Sequence, residues 1–197
     1  HRVDRRQRQM CIRDRMIDPA LSIPLAWFLA GLLALAARDK LLRPREFEVA
    51  VQGYDLLPHS IRHKAAPVIA TLLIVAELAA AILLVVPGFS SAGALAAACI
   101  FGIYAFAMAL AILRGRSGVD CGCHFGAEED ALGWPLVVRN AVLIAIAGVA
   151  AIPQARATVW IDHVSGALAG GALIIILHSA RIALANARQI RALKGAS

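Results

Sequence analysis

Residues 65–86 read AAPVIATLLIVAELAAAILLVV, with a single ionisable side chain, Glu77. A run of about twenty apolar residues is what an α-helix needs to cross the hydrocarbon core of a membrane. Pro67 falls in the first turn, where a missing N–H costs little, and Pro87-Gly88 ends the run. The pattern repeats on both sides. Upstream, residues 21–37 (LSIPLAWFLAGLLALAA) form a span that stops at Arg38, Asp39 and Lys40. Downstream, residues 92–113 carry Cys99 and Tyr104, and residues 135–152 start at Trp134-Pro135 and stop at Pro153. Residues 164–184 hold His178 and run into a basic tail of Arg181, Arg188, Arg191 and Lys194. The expected fold is an all-α integral membrane bundle of five transmembrane helices. Composition agrees: the chain is 60% hydrophobic and 17% charged, whereas soluble domains are roughly 45–50% apolar and about 25% charged.

Between the first two spans, residues 44–52 (PREFEVAVQ) set Phe47, Val49 and Val51 among charges, with Gly53 as a stop. This is the pattern of a short amphipathic helix lying on the membrane surface. Ala94, Ala97 and Ala98 in the third span, and Gly166, Gly170 and Gly171 in the fifth, suit close helix contacts. Residues 1–15 (HRVDRRQRQMCIRDR) are Arg-rich and show no apolar period. They read as a non-native or disordered leader, leaving 16–197 as one transmembrane domain. The formal charge of +7 comes from basic residues flanking the apolar runs. It fits headgroup contact and orientation rather than nucleic acid as a partner.

The loop between the third and fourth spans contains DCGCHFG, residues 120–126, with Cys121 and Cys123 separated by Gly122. A disulfide between residues i and i+2 closes a very small ring, so it is strained and easily reduced. Glycine is the residue best able to take the backbone angles required. Arg114, Arg116 and Arg139 would lower a thiol pKa here, while Asp120, Glu128, Glu129 and Asp130 would oppose them. Three readings are open: a redox couple, a metal site of Cys121, Cys123 and His124 that lacks a clear fourth ligand, and two cysteines with no chemistry. The first is preferred, and no metal is expected.

Sidedness pulls two ways. Without the leader, thirteen Lys and Arg lie on the cysteine-loop side against one, Arg156, on the other. That count puts the loop in the cytoplasm, where thiols are kept reduced.

The stretch RGRSGVDCGCHFG (114–126) followed by VVRN (137–140) resembles the MauE family of methylamine-utilisation membrane proteins, related to DoxX-like proteins. Lys40-Leu41, Phe47, Tyr54, Leu57-Pro58 and Glu77 extend the resemblance upstream. One departure is His124, which stands between the cysteine pair and Phe125 where the family pattern runs CGCFG. The resemblance implies a factor of the bacterial inner membrane that matures the disulfide-rich small subunit of methylamine dehydrogenase, with a thioredoxin-like partner of the MauD type. In helix order, a dithiol just before the fourth helix also resembles the vitamin K epoxide reductase and bacterial disulfide-forming oxidases. Those use a membrane quinone and face the oxidising side, which favours a periplasmic loop.

Glu77, an ionisable group inside a span, is a functional candidate by default. It would relay a proton during dithiol oxidation, or serve as a structural carboxyl bonded to Tyr104 at similar depth. Arg139 and Asn140 would hold the cysteine loop or anchor the interface. His178 reads as a helix-contact hydrogen bond and Cys99 as packing. The site expected from sequence is thus Cys121, Cys123, Glu77 and Arg139. The function is thiol–disulfide exchange, with the alternative of a non-catalytic membrane scaffold for the thioredoxin-like partner.

Overall fold

The computed structural model describes residues 18–54, 59–115, 133–154 and 156–195. Among them the structure is all helix: α1 (Pro19–Leu42), α2 (Pro44–Gly53), α3 (His59–Val85), α4 (Ser90–Leu113), α5 (Trp134–Ala150) and α6 (Trp160–Gly195). Four of these contain stretches long and apolar enough to cross a membrane, and α5 is a shorter apolar helix. At 17 residues, α5 is about 26 Å long, slightly less than the ~30 Å hydrocarbon core. The expected membrane bundle with a surface helix is therefore what the chain forms. Residues 1–15 and the cysteine loop lie outside the described residues.

Local chemistry sets the boundaries. Asp18 caps α1, its side chain accepting from the Ala20 N–H at 2.8 Å, with Pro19 at the first helical position. Pro44 cannot continue the hydrogen-bond ladder of α1, so the chain breaks at Arg43 and starts again as α2. Gly88, at φ 84°, makes the turn between α3 and α4. Phe47 and Ala50 of α2 are buried, with Ala37 of α1 and Ala70 and Ile74 of α3 also buried there. Val49 points outward at 66% exposure, because a helix places positions 47 and 49 on different sides.

α1 is the central helix, packing on each of the other five. The core around it is rich in small residues: Ala26, Ala30, Ala80, Ala94, Ala97 and Ala147 are all buried. Helices in lipid gain little from burying apolar area and hold together through close packing, which small side chains permit. Gly93 brings α4 directly against the backbone of Leu83 and Leu84. α6 rests on α1 through Gly166 and Gly170, a Gly-x-x-x-Gly pair. A Cβ on Gly170 would meet the Phe28 backbone nitrogen at 2.7 Å. Gly171 has open space instead. The remaining apolar surface of α6, including Leu168, Ile175 and Ile176, faces outward, as expected of a lipid-facing helix.

The helices alternate in direction. The C-terminal ends of α1 and α4, the N-terminal ends of α3 and α5, and the C-terminal half of α6 therefore share one side. On the other side Arg156 grips Asp162 with two hydrogen bonds of 2.7 and 2.8 Å and approaches Asp18 at 4.0 Å. Donating to the Asp162 carboxylate holds the Arg156 pKa above its ordinary value. These contacts tie the start of α6 to the start of α1.

Candidate functional site

Read from sequence, Arg38, Asp39 and Lys40 end the first span. In the structure α1 runs on to Leu42. Its register puts Lys40 on the buried face with Leu33 and Ala37, at spacings of four and three. The Lys40 side chain is 1% exposed and forms an ion pair with Glu77, whose side chain is fully buried. Tyr104 from α4 completes a triangle. Its hydroxyl accepts from Lys40 Nζ at 2.8 Å and donates to Glu77 Oε1 at 2.6 Å. Lys40 Nζ also lies over two rings, 4.5 Å from the centroid of Tyr104 and 4.8 Å from that of Phe47.

The cluster joins four helices. Taking each ion out of water costs several kcal/mol, which only direct contact and further hydrogen bonds offset. Here the ammonium gains a carboxylate, a hydroxyl and two aromatic faces. The carboxylate is less complete. Oε1 accepts both hydrogen bonds, whereas Oε2 is buried and has no partner among the described residues. An acceptor left without a donor in a dry interior costs about 1–3 kcal/mol, and more when charged.

The three residues face a cavity of about 270 Å³ between α1, α5 and α6. Its polar end adds Arg139 and Asn140 of α5 and Arg181 of α6. Its body is apolar, with Phe28, Leu32, Phe101, Leu143 and Ile146 in the wall. α5 and α6 both lean on α1 and form no extensive contact with each other. The cavity's exposed lining residues are Val142 of α5 and Leu177 of α6, at 53% and 40%. An apolar pocket with a few converging polar groups is the usual form of a small-molecule site.

Of the residues expected from sequence, Glu77 and Arg139 are brought together on this cavity. Cys121 and Cys123 lie outside the described residues. Their loop leaves α4 at Leu113, about 14 Å along the helix from Tyr104, and returns at Trp134, about 8 Å along α5 from Arg139. The loop is therefore attached on the membrane side where the polar cluster sits. The anticipated Glu77–Tyr104 bond is present. Asn140 is buried and its amide donates to the Leu136 carbonyl of its own helix at 2.8 Å, with its side chain on the cavity. Cys99 is exposed on the outside of α4 rather than packed in the core. His178 is exposed on α6 and does not line the cavity. Among the described residues no group of three or more His, Cys, Asp and Glu gathers as a metal site.

Sequence reasoning missed Lys40 and Arg181 as members of the site. For Lys40 there was a signal: the apolar stripe Ala26, Leu29, Leu33, Ala37 extends by helical spacing to position 40.

Comparison with known proteins places the chain in context. The family described as methylamine utilisation protein MauE matches residues 18–153, which takes in α1 to α5. The methylamine utilization protein MauE of Paracoccus versutus is 41% identical over 165 residues, covering 83% of this chain and 87% of that protein. Its counterpart in Paracoccus denitrificans is 36% identical over 171 residues, 86% of this chain and 90% of that protein. The protein of the same name in Methylophilus methylotrophus is 34% identical over 168 residues, 83% and 85% of the two chains. No solved structure matches. With that match over most of its length, and with helices built to span a membrane, the chain belongs to the MauE family of methylamine utilisation proteins.

Proposed function

We propose that this chain acts in methylamine utilisation as a thiol–disulfide component of the bacterial inner membrane, with Cys121 and Cys123 as its reactive pair. In the oxidised form the two sulfurs share a bond. A partner dithiol attacks that bond, a mixed disulfide forms, and a second partner thiolate resolves it. The partner leaves with a disulfide, while Cys121 and Cys123 each gain a proton and between them two electrons. The partner is a thioredoxin-like protein of the MauD type, and the client is the small subunit of methylamine dehydrogenase. The loop faces the periplasm, where such bonds persist. Glu77 and Arg139 lie on the side of the bundle where the loop is attached.

What supports this reading is the Cys-Gly-Cys motif in the connection between α4 and α5, whose two ends lie on the same side of the bundle as the buried, incompletely bonded Glu77 carboxylate. Cys121→Ser and Cys123→Ser variants should each fail to support maturation of methylamine dehydrogenase. One of the two should accumulate a mixed disulfide with the thioredoxin-like partner, visible as a reductant-sensitive band. Full maturation by the double serine variant would instead make the chain a scaffold whose cysteines are dispensable.

A further inference from the structure

Three features of the cavity are unexplained by packing. Glu77 Oε2 is fully buried and has no donor among the described residues. Three aromatic side chains, Phe28, Phe101 and Tyr104, face the same space. The exposed part of the lining is Val142 of α5 and Leu177 of α6, two helices with no extensive contact between them, which marks the apolar flank of the bundle as the way in. A ligand suited to this site comes from the lipid phase. It has a flat ring, an apolar tail that leaves through the opening, and a head able to donate one hydrogen bond to a carboxylate.

We propose that the cavity binds the head of a membrane quinone and its quinol. A quinol hydroxyl supplies the donor that Glu77 Oε2 lacks, and the ring lies among the aromatic walls. Arg139 and Arg181 line the polar end as hydrogen-bond donors toward ring oxygens. A lipid phosphodiester would meet Arg139 and Arg181 but offers no donor to Glu77 Oε2, and that unmet acceptor is what distinguishes a quinol head. The redox consequence rests on the thiol–disulfide reading above. Cys121 and Cys123 lose two protons and two electrons as the S–S bond forms. The two quinone carbonyls gain them and become hydroxyls. The quinone is thus the oxidant that regenerates the disulfide after each client.

The test is binding of decylubiquinol, the form that can donate to Glu77 Oε2, and of decylubiquinone beside it, to the full-length protein in detergent, with the quinol expected to bind the more tightly. It would be followed by fluorescence quenching of the intrinsic tryptophans and by the spectrum of quinone that co-purifies from membranes. Val142→Trp narrows the opening at an exposed rim position, so the fold is kept. It should weaken binding about tenfold, as overpacking a close-fitting wall does. Val138→Trp, one turn away, exposed and outside the cavity, should bind as the parent does. The double variant Cys121→Ser, Cys123→Ser should bind unchanged and fail to reduce the quinone when given a dithiol. If it binds but the intact protein also fails to reduce quinone, the cavity assignment stands and the thiol reading falls. Absence of binding, equal loss in both tryptophan variants, or displacement by phosphatidylglycerol at the same concentrations as by quinone would each overturn the assignment.

Discussion

Removing the ammonium at position 40 would leave a carboxylate buried among helices with one hydroxyl for company. Breaking one side of a buried ion pair costs about 3–5 kcal/mol, because the remaining charge is uncompensated. Lys40→Met should therefore lower thermal stability in detergent sharply, and Glu77→Leu should do the same by stranding Lys40. The double variant replaces the pair with apolar side chains and should recover most of the loss. A double variant as unstable as the sum of the singles would show that the two groups do not interact as described. Tyr104→Phe removes both the bond to Glu77 and the acceptor for Lys40. Its expected cost is about 1–3 kcal/mol, the range for a buried polar group left unmatched. At this scale the sequence was half legible. A carboxyl inside an apolar run identifies itself, and Tyr104 at matching depth was a reasonable partner. Lys40 was hidden because it follows Arg38 and Asp39 and looks like the charged end of a span. Its partner lies 37 residues away, a pairing that no local pattern reveals.

Between elements, the contact to examine is α1 with α6. Gly170 approaches the backbone of Phe28 and Trp27, and backbone cannot move aside as a side chain can. Gly170→Val should separate the helices and destabilise the pair by about 1–3 kcal/mol, the usual cost of overpacking. Engineered cysteine pairs across α1 and α6 should then cross-link more slowly. Gly171→Ala is the matched control. Open space surrounds that position, and alanine is the better helix former by about 1 kcal/mol, so stability should hold or rise. Equal damage from both would contradict the packing described. Helix number and order were legible from the length of apolar runs alone. The C-terminal extension of α1 was not, because charged residues in a helix's last turns look like a stop whether they reach water or fold inward.

For the whole molecule, the charge distribution and the proposed chemistry make opposite demands on the side that carries the cysteines. Lys40 should leave the tally of positive charge, since it is buried against Glu77. Arg156 on the opposite side is engaged by Asp162. The asymmetry of the rest still favours the cysteine side as the more basic, while the proposed chemistry asks for the oxidising side. One measurement meets this conflict and the central claim together. Cys11 and Cys99 are replaced by serine and alanine, leaving Cys121 and Cys123 as the reporters. Intact cells are then treated with a membrane-impermeant maleimide, with and without prior reductant. A periplasmic redox couple predicts little labelling without reductant and strong labelling after it, both before lysis. Labelling that appears only after lysis, and is indifferent to reductant, would put reduced thiols in the cytoplasm and contradict the account.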